Sequence, residues 1–416
     1  MFDKFNIPKI VKILTAIVII CFGSAALLFV FFCDINNVEF KNNSFAFTNS
    51  SNTNSTTAID ELKTNPISGI DSIKISNAFA DVSMQTYDEK EIKAHLYGHA
   101  TNTIKLDIKK AGSKLIIDVI TTEHNVSFFS SNNLKLDIQI PKQYKDRLYV
   151  DSSSGDISIN SPLNLSNIKL ESSSGNINSL NSIKTQEFDA SASSGNITID
   201  NVASNKSNVK STSGTIRCKG INSKINTTFD ASSGDIHLEN VTSKDLAIET
   251  TSGLINAKSI LCGGYSSFRA SSGDIGLNTI KAKDITIETT SGTVKGDIIN
   301  ADSIIDLSAS SGDMTLDNVK GNVKSKSTSG NVKVYFSNFS SNNININTSS
   351  GDAILKLPEN SAFTLNTKTS SGNIKCAFPV TISSEDHEHS LNGVVCGGQN
   401  IIGISTSSGN ISIIKK

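Results

Sequence analysis

The chain of 416 residues carries 38 Lys and Arg against 39 Asp and Glu, a formal net charge of −1. With no basic surplus to attract a phosphate backbone, nucleic-acid binding is not expected. Aromatic residues make up 6% of the sequence and Trp is absent, so the core must be built from small and β-branched side chains, which favours strands over helices.

Residues 13–32 read ILTAIVIICFGSAALLFVFF, an uncharged run about as long as a helix needs to cross the hydrocarbon core of a bilayer. Three lysines precede this run and an aspartate follows it. The positive-inside rule therefore predicts a short cytoplasmic N-terminus, residues 1–12, with the remainder outside the cytoplasm. We predict an uncleaved signal anchor; the alternative is a cleaved signal peptide, whose apolar part is normally shorter.

Residues 34–66 are dominated by Asn, Ser and Thr with no sustained apolar period, which predicts a flexible tether. From residue 67 to residue 150, apolar and polar residues alternate in short runs such as KLIIDVI and LKLDIQIPK. A period of two is typical of strands. We expect residues 67–150 to form a less regular β-region that caps the array that follows.

From residue 151 to residue 416 the sequence repeats a unit that contains Ser-Gly. The glycines are Gly155, Gly175, Gly195, Gly214, Gly234, Gly253, Gly273, Gly292, Gly312, Gly330, Gly351, Gly372 and Gly409. Successive glycines are 18 to 21 residues apart except for the last pair, 37 apart, which we interpret as two units with one motif eroded. Two positions after the glycine stands Ile or Val in eleven of thirteen units, which indicates a column of side chains inside a stacked solenoid.

Each unit is expected to contribute one short strand before Ser-Gly and one after it. Neither strand can bury its apolar face alone, but stacked coils pair like strands in register about 4.8 Å apart. The predicted fold class is therefore all-β: a parallel β-helix or β-solenoid of about 20-residue coils, preceded by one N-terminal transmembrane helix. The preference for right-handed crossovers predicts the hand of the solenoid.

Three sequence features occur in a distinctive order. IDSIKISNAFADVSMQTYDEKEIKA begins at residue 70, LKLDIQIPK begins at residue 134, and LYVDSSSGDISI at residue 148 leads into repeated SSG(D/N)I. Over residues 67 to 416 the chain thereby resembles the bacterial putative-adhesin family of β-strand-repeat proteins, a domain of unknown function with membrane-anchored Gram-positive members. The resemblance implies an envelope-facing, right-handed solenoid with no assigned activity and no catalytic residues to transfer.

The motif serines do not form a catalytic pattern. A serine nucleophile needs a base beside it, yet of the six His only His237 adjoins a repeat motif. We therefore predict no enzyme, no catalytic residue and no cofactor. The remaining enzymatic alternative is a carbohydrate-active β-helix enzyme, which would use grouped carboxylates and basic residues, whereas this chain has three Arg and acids spread by the repeat.

Two sets of residues are candidates for metal binding. Asp235, Asp274, Asp313 and Asp352 follow motif glycines at intervals of 39 residues. They could hold calcium, but two coils separate neighbours by about 10 Å, too far for one ion to bridge. The alternative is a structural corner, with Gly for a positive φ or a close backbone approach and polar side chains bonded locally. The second set is His387 and His389 in SEDHEHS, for which a solvated loop is the alternative.

Of the six cysteines, Cys21 and Cys33 belong to the membrane segment and its outer end, and four are scattered beyond it: Cys218, Cys262, Cys376 and Cys396. They contain no C-x-x-C pair, and an exported domain of this size can hold disulfides. Cys376 and Cys396 are the candidates to pair, and buried free thiols are the alternative.

These features predict a non-enzymatic, single-pass protein of the cell membrane whose C-terminal part is extracytoplasmic and acts as an adhesive or structural surface module. The expected partners are the membrane, through the anchor, and a cell-surface protein or polysaccharide. The alternative function is envelope-stress sensing through a partner protein. The sequence leaves the ligand and the oligomeric state open.

Overall fold

The computed structural model describes residues 56–101, 103–121, 133–386 and 389–416, apart from the side chains of residues 384–386. These residues form strands and turns only, and none of them belongs to a helix that could cross a membrane. The predicted cytoplasmic N-terminus, the anchor over residues 13–32 and the tether up to residue 55 lie outside the described residues.

The N-terminal region contains eight strands before the first corner glycine. They are β1 (Thr57–Pro66), β2 (Ser72–Asn77), β3 (Asp81–Tyr87), β4 (Glu91–Ala100), β5 (Ile104–Ala111), β6 (Lys114–Thr121), β7 (Asn133–Pro141) and β8 (Arg147–Ser152). β2 pairs with β6 on one side and β8 on the other, and β3 pairs likewise with β7 and with β9 (Ile157–Ile159). The coil made by β6 and β7 therefore lies outside the coil made by β2 and β3, although it comes later in the chain.

Antiparallel strands close this N-terminal end. β5 pairs with β6, β4 pairs with β7, and β1 pairs with β4 over ten residues from Thr57 to Pro66. The predicted boundary of the tether at residue 66 is therefore wrong, because residues 57–66 belong to the folded array. Ile59 packs against the core while most of β1 is exposed, so β1 shows little of the alternation that marks a half-buried strand.

The central strands follow the repeat in chain order. They are β9 (Ile157–Ile159), β10 (Leu163–Asn164), β11 (Asn167–Ser172), β12 (Ile177–Lys184), β13 (Glu187–Ala192), β14 (Ile197–Ser211), β15 (Ile216–Ala231), β16 (Ile236–Ser243), β17 (Asp245–Thr250), β18 (Ile255–Cys262), β19 (Tyr265–Ala270), β20 (Ile275–Thr289), β21 (Val294–Ala309), β22 (Met314–Ser327) and β23 (Val332–Phe336). Parallel pairing stacks equivalent residues: Ile197 on Ile216 and Ile216 on Ile236, all fully buried. The predicted all-β, right-handed solenoid with an internal Ile column is confirmed.

Each regular coil has three sides. In β14, buried and outward-facing residues alternate except at residues 200–201 and 205–206, where two successive residues face outward. The pairing of β14 with β15 shifts register at the second of these places. Together with the Ser-Gly corner these breaks divide the coil into three short strands, one more than the two predicted.

The C-terminal strands depart from chain order. They are β24 (Ile344–Thr348), β25 (Ala353–Leu357), β26 (Phe363–Thr369), β27 (Ile374–Cys376), β28 (Thr381–Asp386), β29 (Ser390–Val395), β30 (Asn400–Thr406) and β31 (Ile411–Lys415). β30 lies between β24 and β26, and β31 lies between β25 and β27.

The 37-residue interval before Gly409 is therefore not two units with one motif eroded, and that interpretation was wrong. After β27 the chain leaves the coil path to form an antiparallel hairpin, β28–β29, whose second strand pairs with β26. The chain then returns to fill the coil between β24–β25 and β26–β27.

Candidate functional site

The corner glycines form one continuous column. At each of the thirteen positions a Cβ atom would lie 1.7–2.1 Å from the carbonyl oxygen of the residue one coil below, which is a glycine in twelve cases and Ala80 beneath Gly155. None of the thirteen has a positive φ. Of the two reasons considered for these glycines, close backbone approach is the one that applies.

Between Gly195 and Gly330, a hydroxyl three residues before the corner glycine hydrogen-bonds the corner backbone in alternate coils. Thr250 Oγ1 accepts a hydrogen bond from the amide of Gly253 at 3.0 Å and donates to the carbonyl of Gly234, one coil below, at 3.3 Å. The neighbouring coils carry buried Ala231 and Ala270 at this position. In this middle part of the array, hydroxyl-bearing residues and alanine alternate, and the structural repeat is two coils, or 39 residues. At the ends successive coils carry a hydroxyl, as at Ser152 and Ser172 or at Thr348 and Thr406.

The four candidate aspartates bind the backbone of the next coil. Oδ1 of each accepts a hydrogen bond from the amide one position after the next corner glycine, at 2.7–2.8 Å: Leu254 on Asp235, Thr293 on Asp274, Asn331 on Asp313 and Asn410 on Asp352. Asn side chains do the same elsewhere, as Asn176 does for Asn196 at 2.9 Å. These carboxylates therefore act as structural hydrogen-bond acceptors between coils.

The remaining metal and catalytic candidates are separated in space. Among the residues whose positions are known, no three His, Cys, Asp or Glu side chains approach closely enough to hold a metal ion. His237 Nε2 lies 3.9 Å from Asp235 Oδ2, and no hydrogen bond in the described part of the chain joins it to a motif serine. His387 lies outside the described residues, whereas His389 lines a cleft considered below.

The four cysteines of the array are free thiols. Cys218 and Cys262 are buried, and burial raises the pKa of Cys218 to about 12 and that of Cys262 to about 11. Cys376 is half-buried and Cys396 is exposed. Of the two alternatives, free thiols therefore apply, and Cys396 is the most accessible of the four.

A polar cleft of about 590 Å³ lies on the outer face of the C-terminal coils. Its floor consists of four adjacent strands in the order β24, β30, β26 and β29. Equivalent positions on these strands form one row of outward-facing residues: Asn345, Gly403, Asn366 and Asn392. We call this feature the β30 cleft because β30 runs along its floor.

Gly403 makes the cleft concave. A Cβ atom at this position would approach no atom closer than 3.9 Å, so packing does not demand glycine here as it does at the corners. Because glycine is present, a gap opens between Asn345 on one wall and Asn366 on the other.

A second row, two residues further along each strand, completes the lining with Asn347, Ser405, Lys368 and Ser390. Asn347 Nδ2 donates to Asn345 Oδ1 at 3.0 Å, which fixes both amides on one wall. Within the described residues Ser405 and Lys368 make no side-chain hydrogen bond, nor does Asn366 in the first row. These groups are available to a ligand.

The hairpin that bounds the cleft is anchored through the buried Thr367. Its Oγ1 donates to the carbonyl of Leu391 at 2.7 Å, and its amide donates to Asn392 Oδ1 at 3.2 Å. The amide of Thr369 also donates to the carbonyl of His389 at 2.9 Å. The wall formed by β29 is therefore held in place by hydrogen bonds to β26.

Among the residues that line the β30 cleft, Lys368 carries a positive charge and none is an Asp or Glu. In the next register positions, Lys326 pairs with Asn347 on one side and Asp386 pairs with Ser390 on the other. Sequence reasoning missed this site because the strands that form it are distant in the chain. β30 pairs with residues of β24 that lie 58 positions earlier and with residues of β26 that lie 37 positions earlier. The signal that could have indicated it is the break in the glycine spacing at 37 residues.

A protein-family description, Toastrack DUF4097, matches residues 70–259 and 242–414. No curated protein matches the chain. Among solved structures, a putative cell adhesion protein from Clostridium sporogenes ATCC 15579 is 10% identical, with 86% of this chain and 100% of that chain covered and a TM-score of 0.17. A putative adhesin from Parabacteroides distasonis ATCC 8503 is 12% identical, with coverage of 71% and 96% and a TM-score of 0.30.

A third solved structure is a putative lipid binding protein, also from Parabacteroides distasonis ATCC 8503. It is 15% identical, with 66% of this chain and 96% of that chain covered and a TM-score of 0.26. All three TM-scores are below 0.5, so these similarities carry no information about a ligand.

Proposed function

Because the chain belongs to the Toastrack DUF4097 family, we propose that it is a non-enzymatic interaction module on the outer side of the cell membrane, anchored by residues 13–32. Its role is adhesive or structural: a rigid array presents polar outer faces to a cell-surface protein or polysaccharide. The proposed location follows from the apolar run and the lysines that precede it.

The observation that carries this proposal is how each coil uses its polar residues. The motif Ser, Thr, Asp and Asn side chains bind neighbouring coils, as Thr250 and Asp274 do. The residues left for a partner are those that face outward, and they are mainly Asn, Ser, Thr, Lys, Asp and Glu. A surface of this kind supports a role in binding polar partners and does not support a catalytic role.

Cys396 provides a test of the location. In intact cells that produce the full chain with Cys33→Ser, which removes the thiol next to the proposed anchor, a membrane-impermeant maleimide should label the exposed Cys396. A further Cys396→Ser should remove most of the signal. Cys218 should stay unmodified without denaturant, because burial raises the pKa of its thiol to about 12 and only the thiolate reacts. Labelling of Cys396 that requires cell lysis would overturn the extracytoplasmic placement.

The role itself is tested by crosslinking the full chain in intact envelopes and identifying what is retained. Recovery of a wall or surface polymer, or of a surface protein, is the expected result. Recovery of a membrane-embedded regulatory protein alone would assign the chain to envelope sensing. Absence of any retained partner or polymer would contradict both roles.

A further inference from the structure

We propose that the β30 cleft is a binding site for an acidic polysaccharide, with sugar hydroxyls on its amide side chains and a carboxylate of the sugar opposite Lys368. This inference deepens the proposed function and rests on it only for the extracytoplasmic location. It assigns a ligand class to one place on an otherwise repetitive surface.

The hydrogen-bonding groups of the cleft match a hydroxyl-rich ligand. Asn366 offers a carbonyl oxygen and an amide NH₂, and Ser405 offers a hydroxyl, so each can both donate and accept. A sugar hydroxyl has the same dual capacity. An apolar ligand would leave these groups without partners, which is costly in a covered site. The side chains of Asn345 and Asn347 are already fixed by their mutual hydrogen bond. Binding there therefore costs little side-chain conformational entropy.

The charge of the cleft selects an acidic sugar over a neutral one. The charge inside the cleft is that of Lys368, whereas Lys326 and Asp386 occupy register positions at opposite rims. A carboxylate in the ligand would form a charge-assisted hydrogen bond with the ammonium group of Lys368, which is stronger than a bond between neutral groups. The two lysines lie three strands apart across the sheet, on β22 and β26, a spacing that suits occasional negative charges and not a dense run of phosphates.

The shape of the cleft suits a short stretch of an extended chain. Two outward-facing residues of β30 line it, Gly403 and Ser405, about 6.6 Å apart along the strand, and Ile401 lies one such step beyond the lining. Ile401 is 54% exposed at one end of this line and offers an apolar contact for the C–H face of a sugar ring. With no Phe, Tyr or Trp among the lining residues, affinity should be weak, in the millimolar range.

The full chain in detergent micelles is to be titrated with trigalacturonate and with the neutral trisaccharide maltotriose, using saturation-transfer NMR. Trigalacturonate should bind, and maltotriose should bind at least fivefold more weakly. Lys368→Gln should remove this difference. Gly403→Val should weaken trigalacturonate at least tenfold, because the valine side chain fills the floor of the cleft.

Gly276→Val is the matched control, because Gly276 also faces outward from a strand and a Cβ there would meet no atom closer than 3.7 Å. It should leave binding unchanged, and thermal unfolding should show that both valine variants fold. Failure of trigalacturonate to bind, or equal loss in both valine variants, overturns the inference. Either result leaves the proposed function to be decided by Cys396 labelling and envelope crosslinking.

Discussion

Corner glycines in this protein are required by the coil beneath them. Most glycines in turns are selected for a positive φ, but here the φ angles are ordinary and the space for a Cβ atom is absent. The carbonyl oxygen that excludes the Cβ belongs to the backbone and cannot rotate away as a side chain would. Each glycine therefore sets the distance between two coils at their shared corner.

Gly234→Ala should consequently destabilise the array by about 3 kcal/mol, as overpacking against a fixed backbone does. The new Cβ would lie 1.9 Å from the carbonyl oxygen of Gly214. Gly263→Ala is the control, because a Cβ there would meet nothing within 4 Å. Chemical denaturation followed by circular dichroism measures both. Equal stability of the two variants would show that the corner can expand freely.

The aspartate ladder makes a separate prediction at the same scale. Asp274→Ala should cost about 1 kcal/mol, because the amide of Thr293 loses its acceptor. Asp274→Asn keeps an oxygen in place and should be close to neutral, as the Asn residues at equivalent corners indicate.

The same variants distinguish the ladder from a calcium site. If the carboxylates act only as hydrogen-bond acceptors, millimolar calcium should leave the melting temperature of the unmodified chain and of Asp274→Asn unchanged. A calcium-dependent rise that Asp274→Asn abolishes would restore the metal interpretation.

At the scale of strands, the order along the chain and the order in space differ at both ends of the array. At the N-terminal end a later coil lies outside an earlier one, and at the C-terminal end a later coil lies between two earlier ones. β2–β3 is enclosed by strands that follow it, and β30–β31 is enclosed by strands that precede it. An enclosed coil is bonded on both sides, so its removal uncovers two ladders, whereas an outermost strand such as β1 is bonded on one side only.

Deletion of residues 400–416 should therefore loosen both β24–β25 and β26–β27. Hydrogen exchange monitored by mass spectrometry should show lost protection over residues 344–376, while residues 195–330 stay protected because repeat arrays couple mainly to their neighbours. Deletion of residues 57–66 is the comparison and should affect only β4 and the edge of β5. Unchanged exchange over residues 344–376 would contradict the enclosed position of β30.

The features that could be predicted from the sequence are those that recur with the period of about 20 residues. The Ile column and the corner glycines each recur at one phase, so fold class and register follow directly. The third side of the coil was missed because it buries hydroxyls in place of apolar groups: Ser204 hydrogen-bonds Ser207 and Ser223 at 2.7 and 2.8 Å inside the array. An alternating hydrophobic pattern does not show such a strand.

The enclosed coil and the β30 cleft were missed for a different reason. Residues 400–406 resemble any other coil in composition, and no feature of their own sequence predicts that they pair with β24 and β26. Pairing over 58 and 37 residues is decided by which coils remain unpaired once the hairpin β28–β29 has left the stack. The position of Gly403 between two rows of Asn follows only from that pairing.

For the whole molecule, the principal hazard is the exposed edge at each end of a long parallel array, since free strand edges promote association. At the N-terminal end β5 has one unpaired edge, and β1 covers part of it with charged side chains. The amide of Leu106 donates to Glu61 Oε2 at 3.0 Å, and its carbonyl accepts from Lys63 Nζ. These two side chains take the place that a further strand would occupy.

Replacing both Glu61 and Lys63 with Ala should let β5 pair with another molecule. In the fragment of residues 56–416, one compact unit, sedimentation velocity should reveal concentration-dependent association. The matched control is Glu239→Ala with Lys258→Ala, which removes an exposed ion pair of 3.2 Å from the side of the array and should stay monodisperse. Identical sedimentation of both double variants would show that the end is protected by other means.

The enclosed position of β30 also fixes an order in time. In the middle of the array each coil can be added to its predecessor as the chain emerges during synthesis and export. β30 and β31 follow both of their neighbours in the chain, so β26 and β27 must wait, separated from β24 and β25, until residues 400–415 arrive between them. A chain halted before residue 400 would keep a finished middle but lack the floor of the β30 cleft, so its proposed binding capacity would appear only after that last insertion.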